Sequence, residues 1–299
     1  MSVVGCRIGI VTVTYNSQDV LTPFLRCAFA QTFGDFLLYA VDNASRDQTV
    51  SLLRQESDPR LRCILNSDNC GVAEGNNQGI RAALADGCET VLLLNNDIEF
   101  GPQFFAQLYA GLAERNTDMA TCKMLYHDPS DTIWCAGGWL DPHRLFSAFH
   151  YGMGATDQGQ FDEPKRVTYT PTCCLLARRS VFERVGLMDR RYFVYSDDVD
   201  FCYRCYLLDI PLWYLPHIVL FHKVSALTGG DESEFAIRFM TRNRAYFLRK
   251  HMSPWQSILW AGHFLLLTAP RRVLLGSDSL HIWRLRCNSL IEGWRLVDS

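Results

Sequence analysis

Three aspartates fall within four residues, at Asp197, Asp198 and Asp200, directly after the aromatic, strand-like run Tyr192-Phe193-Val194-Tyr195. Carboxylates held this close repel, so at least one pKa rises unless a cation or a hydrogen-bond donor intervenes. A general base or a metal site would use such a cluster. A helix N-terminus would use it equally well, because the helix dipole favours negative charge there. Other reactive side chains stand at the ends of apolar runs. Asn16 follows Ile8 to Thr14, Asp42 follows Phe36 to Val41, Asn95-Asn96-Asp97 follows Thr90 to Leu94, and His222 follows Leu212 to Leu220.

Those runs are the elements that must position them. Ile8 to Thr14, Phe36 to Val41, Leu61 to Leu65 and Thr90 to Leu94 read as buried strands. Helices are expected between them. Val20, Leu21, Phe24, Leu25 and Ala28 have helical spacing after Ser17 as N-cap, Thr49 to Gln55 begins a second helix, and Gly71 to Ala85 is a loop and helix. Strands alternating with helices predict an α/β fold, a mostly parallel sheet covered on both faces. Ligands of such sheets bind beyond the carboxyl ends of the strands, where Asn16, Asp42 and Asp97 lie. From about Lys123 to Thr172 the pattern is less regular and is expected to give loops and short strands shaping a pocket. Val181 to Val185 and Arg238 to His251 read as helices.

Composition removes several classes. The 299 residues carry 48% hydrophobic and 20% charged side chains, the mark of an ordinary folded protein. A net charge of -3 argues against nucleic-acid binding. The turn after the first strand, Thr14-Tyr15-Asn16-Ser17, has no glycine, which disfavours a dehydrogenase, and no GxxxxGK[ST] loop occurs. The 12 cysteines are scattered apart from Cys173-Cys174 and Cys202-x-x-Cys205. With no leader-like pattern in Met1 to Arg7, reduced thiols in a cytoplasmic protein are expected. No second pair stands at zinc-like spacing from Cys202 and Cys205, so their expected role is packing.

The C-terminal end differs from the body. From Arg242 onward there are nine Lys/Arg against three Asp/Glu. Ile258 to Ala269 is strongly apolar, stopped by Pro270-Arg271-Arg272, and too short to span a bilayer. A helix lying on the inner face of the plasma membrane is one reading, supported by Trp255, Trp260, Trp283, Trp294 and the flanking arginines. Packing on the catalytic domain, or on a second subunit in a homodimer, is the other.

In order and spacing the landmarks match a known family. They include Val13-Thr14-Tyr15-Asn16-Ser17, Val41-Asp42-Asn43-Ala44-Ser45-Arg46-Asp47 and Asn69 to Ile80. Leu92-Leu93-Leu94-Asn95-Asn96-Asp97, Ala177 to Phe182, Val185 to Asp189, the acidic segment, His222 and Arg242-Asn243-Arg244 continue the match. From about Ile8 to Lys250 the chain resembles the inverting family 2 glycosyltransferases of GT-A fold, particularly the bacterial rhamnosyltransferase-like branch.

The resemblance implies a catalytic domain over residues 1–250. Nucleotide-sugar binding would occupy about 1–120 and the acceptor side about 121–250, with a basic, tryptophan-rich helical extension over 251–299. It implies nucleotide-sugar contacts from Thr14, Asn16, Asp42, Asn77 and Asn96. Asp97, which keeps the carboxylate of a DXD-like motif, and His222 would hold Mg2+ or Mn2+, hard ions suited to diphosphate. Asp198 would be the base that deprotonates the acceptor hydroxyl, Asp197 its modulator, and Asp200 a structural acid paired with Arg204. The family usually carries glutamate where Asp197 stands, a small residue where Glu74 stands and glycine where Thr172 stands. The implied donor is a dTDP-sugar, rhamnose first, with a UDP-hexose second. The implied acceptor is a glycan, free or linked to polyprenyl diphosphate, in surface polysaccharide or O-antigen synthesis. Two other classes remain. A sugar nucleotidyltransferase would want a glycine-rich basic loop after the first strand, and a non-catalytic nucleotide-sugar-binding protein would not need Asp97, Asp198 and His222.

Overall fold

The computed structural model describes residues 7–223 and 233–296. The N-terminal stretch read for a leader lies outside the described residues, save Arg7. The chain divides into two compact units, Met1–Arg190 with Asp198–Leu227, and Arg191–Asp197 with Thr228–Ser299.

In the first unit strands and helices alternate as β1 (Ile8–Thr14), α1 (Gln18–Phe29), β2 (Phe36–Asp42), α2 (Thr49–Gln55), β3 (Leu61–Leu65), α3 (Gly71–Ala85) and β4 (Thr90–Leu94). Then come β5 (Ile98–Phe100), α4 (Phe104–Glu114), β6 (Met119–Tyr126), β7 (Ile133–Cys135), β8 (Gly138–Asp141), β9 (Ser147–His150), β10 (Lys165–Val167) and β11 (Cys174–Arg178). The unit ends with α5 (Arg179–Val185), α6 (Asp197–Leu207, whose first residue falls to the second unit) and β12 (Leu212–His222). The main sheet runs β10-β12-β6-β11-β4-β1-β2-β3, with β5 on β12 and β7 on β6, and β8-β9 form a separate hairpin. The ladders of β1 with β2 and β4, β2 with β3, and β12 with β6 are parallel. β11 runs antiparallel between β4 and β6, so the sheet is mixed at its centre.

Side chains alternate across the strands, and the two cores follow that period. Ile8, Ile10, Leu92, Leu94 and Leu176 pack with Phe24, Leu25, Phe105 and Leu108 of α1 and α4. Val11, Val91, Leu93, Leu175 and Ala177 pack on the opposite face with Ala73, Ile80, Phe182 and Phe201 of α3, α5 and α6. β6 is an eight-residue strand that runs into the region expected to hold only loops and short strands. Lys123 interrupts its apolar run, yet its side chain is buried because Nζ pairs with Asp157 at 2.8 Å and Asp162 at 2.5 Å. Ser17 precedes α1 without capping it. Its Oγ instead accepts from Tyr15 N at 3.2 Å, which tightens the turn after β1. Among the described residues ten cysteines are free thiols, but Cys88 is disulfide-bonded, which departs from the expectation of reduced thiols throughout.

The second unit contains α7 (Glu234–His251), α8 (Pro254–His263), α9 (Ala269–Leu274) and α10 (Leu280–Arg295). α7 and α10 pack closely because Gly293 has no side chain. A Cβ there would overlap the Arg242 carbonyl. Glu292 beside it takes ion pairs from Arg238 and Arg242.

Candidate active site

Parallel register sets Thr14 directly opposite Asp42. Thr14 Oγ1 donates to Asp42 Oδ1 at 2.8 Å, and Ser45 donates to the same carboxylate through Oγ at 2.5 Å and N at 2.9 Å. Asp42 is therefore buried and holds the turn after β2. Asn16, at positive φ, accepts from Arg46 N at 2.9 Å and so ties the β1 turn to the β2 turn. Asn96 Nδ2 donates to Val13 O at 2.6 Å, joining the end of β4 to β1. Four of the expected nucleotide-sugar residues thus gather along the carboxyl ends of β1, β2 and β4.

Asn77 stands apart from them. Its amide is buried in α3, donating to Met188 O at 2.8 Å and accepting from Met188 N at 2.9 Å. Gly75 and Gly79 of the same helix explain the glycines of that motif by close approach. A Cβ on Gly79 would overlap Val11 Cγ1, and one on Gly75 would lie 2.9 Å from Val13.

Asp97 and His222 meet through the antiparallel pairing of β5 with β12, which sets His222 opposite Ile98. His222 Nε2 lies 3.3 Å from Asp97 Oδ1, and both residues are buried, at 6% and 8% exposure. His222 Nδ1 and Asn96 Oδ1 are buried without a hydrogen-bond partner among the described residues. A carboxylate beside an imidazole, with an unused imidazole nitrogen and an unused amide oxygen next to them, suits a small divalent cation. No group of three or more His, Cys, Asp or Glu gathers as ligands among the described residues. If Asp97 and His222 hold such an ion, water and diphosphate would complete its shell, as such ions accept. Lys223 pairs with Glu99 at 2.6 Å.

Asp198 lies on the first turn of α6. Tyr169 Oη donates to its Oδ2 at 2.8 Å, and Val199 N to its Oδ1 at 2.7 Å. Desolvation raises the Asp198 pKa, and these hydrogen bonds pull against that rise. Tyr169 is itself held protonated by burial and by the Asp198 charge. Behind Tyr169 the rings continue. It stacks on His150 at 5.7 Å, His150 meets Trp134 edge-on at 4.9 Å, and Trp134 meets His222 edge-on at 4.3 Å. His150 Nδ1 donates to the Trp134 carbonyl at 3.1 Å. One unbroken line of side chains thus joins the Asp97–His222 pair to Asp198.

The sequence profile of "Glycosyl transferase family 2" matches residues 9–186, more than half of the chain. The chain belongs to family 2 of the glycosyltransferases. It is 26% identical over 305 residues to the N-acetylglucosaminyl-diphospho-decaprenol L-rhamnosyltransferase of Mycobacterium tuberculosis, covering 95% of this chain and 97% of that one. It is 24% identical over 221 residues to the dTDP-rhamnosyl transferase RfbF of Shigella flexneri, covering 72% of this chain and 71% of that one. The mannosyltransferase PcManGT of Pyrobaculum calidifontis, solved with GDP-Man and Mn2+, superposes with a TM-score of 0.60 at 14% identity. That superposition covers 97% of this chain and 86% of that one and shows the shared GT-A fold.

In this glycosyltransferase the other acids separate by environment. Asp200 is fully buried and pairs with Arg204 Nε at 2.8 Å, while Arg204 also donates to the Val185 and Leu187 carbonyls. Asp197 opens α6 and is buried within the second unit's loop. That loop is strained, since Phe193, Tyr195 and Ser196 all have φ of +62°. Left-handed conformations of this kind cost about 1–3 kcal/mol each and persist only when their surroundings hold them. Asn243 does so. Its Nδ2 donates to the carbonyls of Tyr192 at 2.9 Å, Val194 at 2.7 Å and Tyr195 at 2.9 Å. Arg242 adds a bond to the Arg191 carbonyl at 2.9 Å. Sequence reasoning placed Arg242-Asn243-Arg244 in the family pattern without a role, and it missed Tyr169, His150 and Trp134. Nothing in local spacing marks those three, because long-range pairing brings them together.

Proposed function

We propose that this glycosyltransferase moves rhamnose from a dTDP-activated donor to a polyprenyl-diphosphate-linked glycan, in bacterial surface polysaccharide synthesis at the cytoplasmic face of the membrane. The observation that carries the chemistry is the linked pair of sites, Asp97 with His222 at one end and Asp198 with Tyr169 at the other. The extent of the likeness to the mycobacterial rhamnosyltransferase, over nearly the full length of both chains, supports the choice of donor and acceptor.

The nucleotide-sugar lies along the strand ends around Thr14, Asn16, Asp42 and Asn96, within residues 1–120, and the acceptor lies on the side of residues 121–250. Asp42 keeps the β2 turn in shape for the base or ribose, and Asn77 acts from behind by bracing α3 against Met188. Asp97 and His222 would hold Mg2+ or Mn2+, and that ion would supply positive charge against the charge developing on the diphosphate. Asp198 accepts the proton of the acceptor hydroxyl. The oxygen then bonds to the anomeric carbon as the bond to the diphosphate breaks on the opposite face, so configuration inverts. The elevated Asp198 pKa brings the base nearer working pH, which favours proton transfer. Asp197, one residue before it, orients the segment that carries the base.

The test is to incubate the purified protein and Mn2+ with dTDP-rhamnose and polyprenyl-diphosphate N-acetylglucosamine. The expected product is a rhamnosylated lipid with inverted anomeric configuration, read by mass spectrometry and NMR. Transfer from UDP-hexoses alone would overturn the donor, and retention of configuration would overturn the role of Asp198.

A further inference from the structure

The segment after α7 is one continuous helical arm. α8 runs into a π-helical turn, Phe264–Thr268, and then into α9. Pro270 causes the break, because it has no N–H to donate and its ring crowds the carbonyl four residues back. The turn widens there, and Ala269 N donates to Phe264 O, five residues back. The arm then presents large apolar side chains to solvent. Trp255 is 75% exposed, Leu259 70%, Leu266 76%, Leu267 61%, Leu274 86% and Leu275 67%. Trp255, Leu259 and Leu266 follow helical spacing along one stripe, and Leu267 and Leu274, seven residues apart, extend it on one side.

An apolar stripe of this size marks an interaction surface. The charges around it say with what. No Asp or Glu occurs between Glu234 and Asp278, whereas Arg271 and Arg272 close the arm. Arg272 is drawn to Asp278 at 3.0 Å, and Arg271 is exposed beside the stripe. Two copies packed in parallel through the stripe would bring their arginines together with no acid in the arm to offset them, and an antiparallel pair would leave the arginines unmatched at each end. An anionic lipid surface supplies that offset and takes the apolar side chains as well. No helix among the described residues is long and apolar enough to cross a membrane.

We infer that the arm from Pro254 to Leu275 is a membrane-docking surface that lies in the interface of a bilayer containing anionic phospholipid. Trp255 and the leucines enter the boundary between headgroups and acyl chains. Arg271 stays at headgroup level, its stem along the apolar surface and its guanidinium on phosphate. The docking requires nothing of the sugar chemistry, so it stands or falls apart from the donor and acceptor assigned above.

The experiment is co-sedimentation of the full-length protein with extruded vesicles, phosphatidylglycerol mixed with phosphatidylcholine against phosphatidylcholine alone. The expected result is binding to the anionic vesicles that weakens with salt. It should fall about tenfold or more in Leu259→Glu/Leu266→Glu, since binding scales with buried apolar area. Both positions are exposed, so the melting temperature should not change. Equal binding to neutral vesicles, no binding to either, or undiminished binding by the double variant would overturn the inference. A dimer in sedimentation velocity that the double variant converts to monomer would overturn it too, by making the arm a self-association face.

Discussion

Tyr169 donates its hydroxyl proton to Asp198 Oδ2 at 2.8 Å, the one long-range side-chain hydrogen bond to the proposed base among the described residues. Desolvation pushes the Asp198 carboxyl pKa up, against its ionised form. The phenol stabilises the ionised form while leaving the carboxyl pKa above its ordinary value. The Cys135 and Cys202 thiols nearby are kept neutral by burial.

Tyr169→Phe should therefore shift the acidic limb of the kcat/KM profile to higher pH. The sign follows from the contacts. A hydrogen bond to the ionised carboxylate lowers its pKa, so removing it raises the pKa, and the active form is lost at a higher pH as acidity increases. Plateau activity should fall about fivefold, the worth of one hydrogen bond of about 1 kcal/mol, with the donor dissociation constant unchanged. An unshifted limb would reduce Tyr169 to a packing residue.

Asn243→Ala should release the strained loop before α6. Three carbonyls lose their shared donor, and an unsatisfied buried group costs about 1–3 kcal/mol. Urea unfolding should show a loss of about 2–3 kcal/mol. Sugar transfer should fall further than stability alone predicts, because Asp197 ends the released loop. Full activity in a folded variant would show that the loop holds its shape without the clamp.

Gly79→Ala should destabilise by about 1–3 kcal/mol, because the new methyl overlaps Val11 Cγ1 across the α3–β1 contact. Shortening Val11 to alanine in the same chain should recover part of the loss. Independent, additive effects in the double-mutant cycle would mean that α3 and β1 do not meet as described.

Removing divalent ions with excess EDTA should abolish sugar transfer, and Mn2+ or Mg2+ should restore it. His222→Ala should raise the metal concentration needed for half-maximal activity about 10-fold or more. Equal turnover in EDTA would leave the Asp97–His222 pair as a structural contact.

The parallel half of the fold was legible because its signals are local. Strands β1 to β4 are short apolar runs, and the polar residues that end them lie where ligands of such sheets bind. Asp200 with Arg204 was legible too, since four residues on a helix is a contact distance. β6 was obscured by Lys123, whose two carboxylate partners lie more than thirty residues away. Ser17 looked like a cap because its residue type fits, but the β1 turn uses its hydroxyl first. Tyr169 and Asn243 were beyond reach for a common reason. Each acts on residues about thirty to fifty positions distant, and only the assembled fold brings them there.

The central claim is that Asp198 takes the proton from the acceptor. Asparagine at that position preserves shape and can still accept from Tyr169, but it cannot bind the proton. Measuring sugar transfer and donor binding side by side for Asp198→Asn tests the claim most directly. The account predicts a loss in kcat of about 10²-fold or more with donor affinity nearly unchanged. Ordinary turnover by this variant would contradict it.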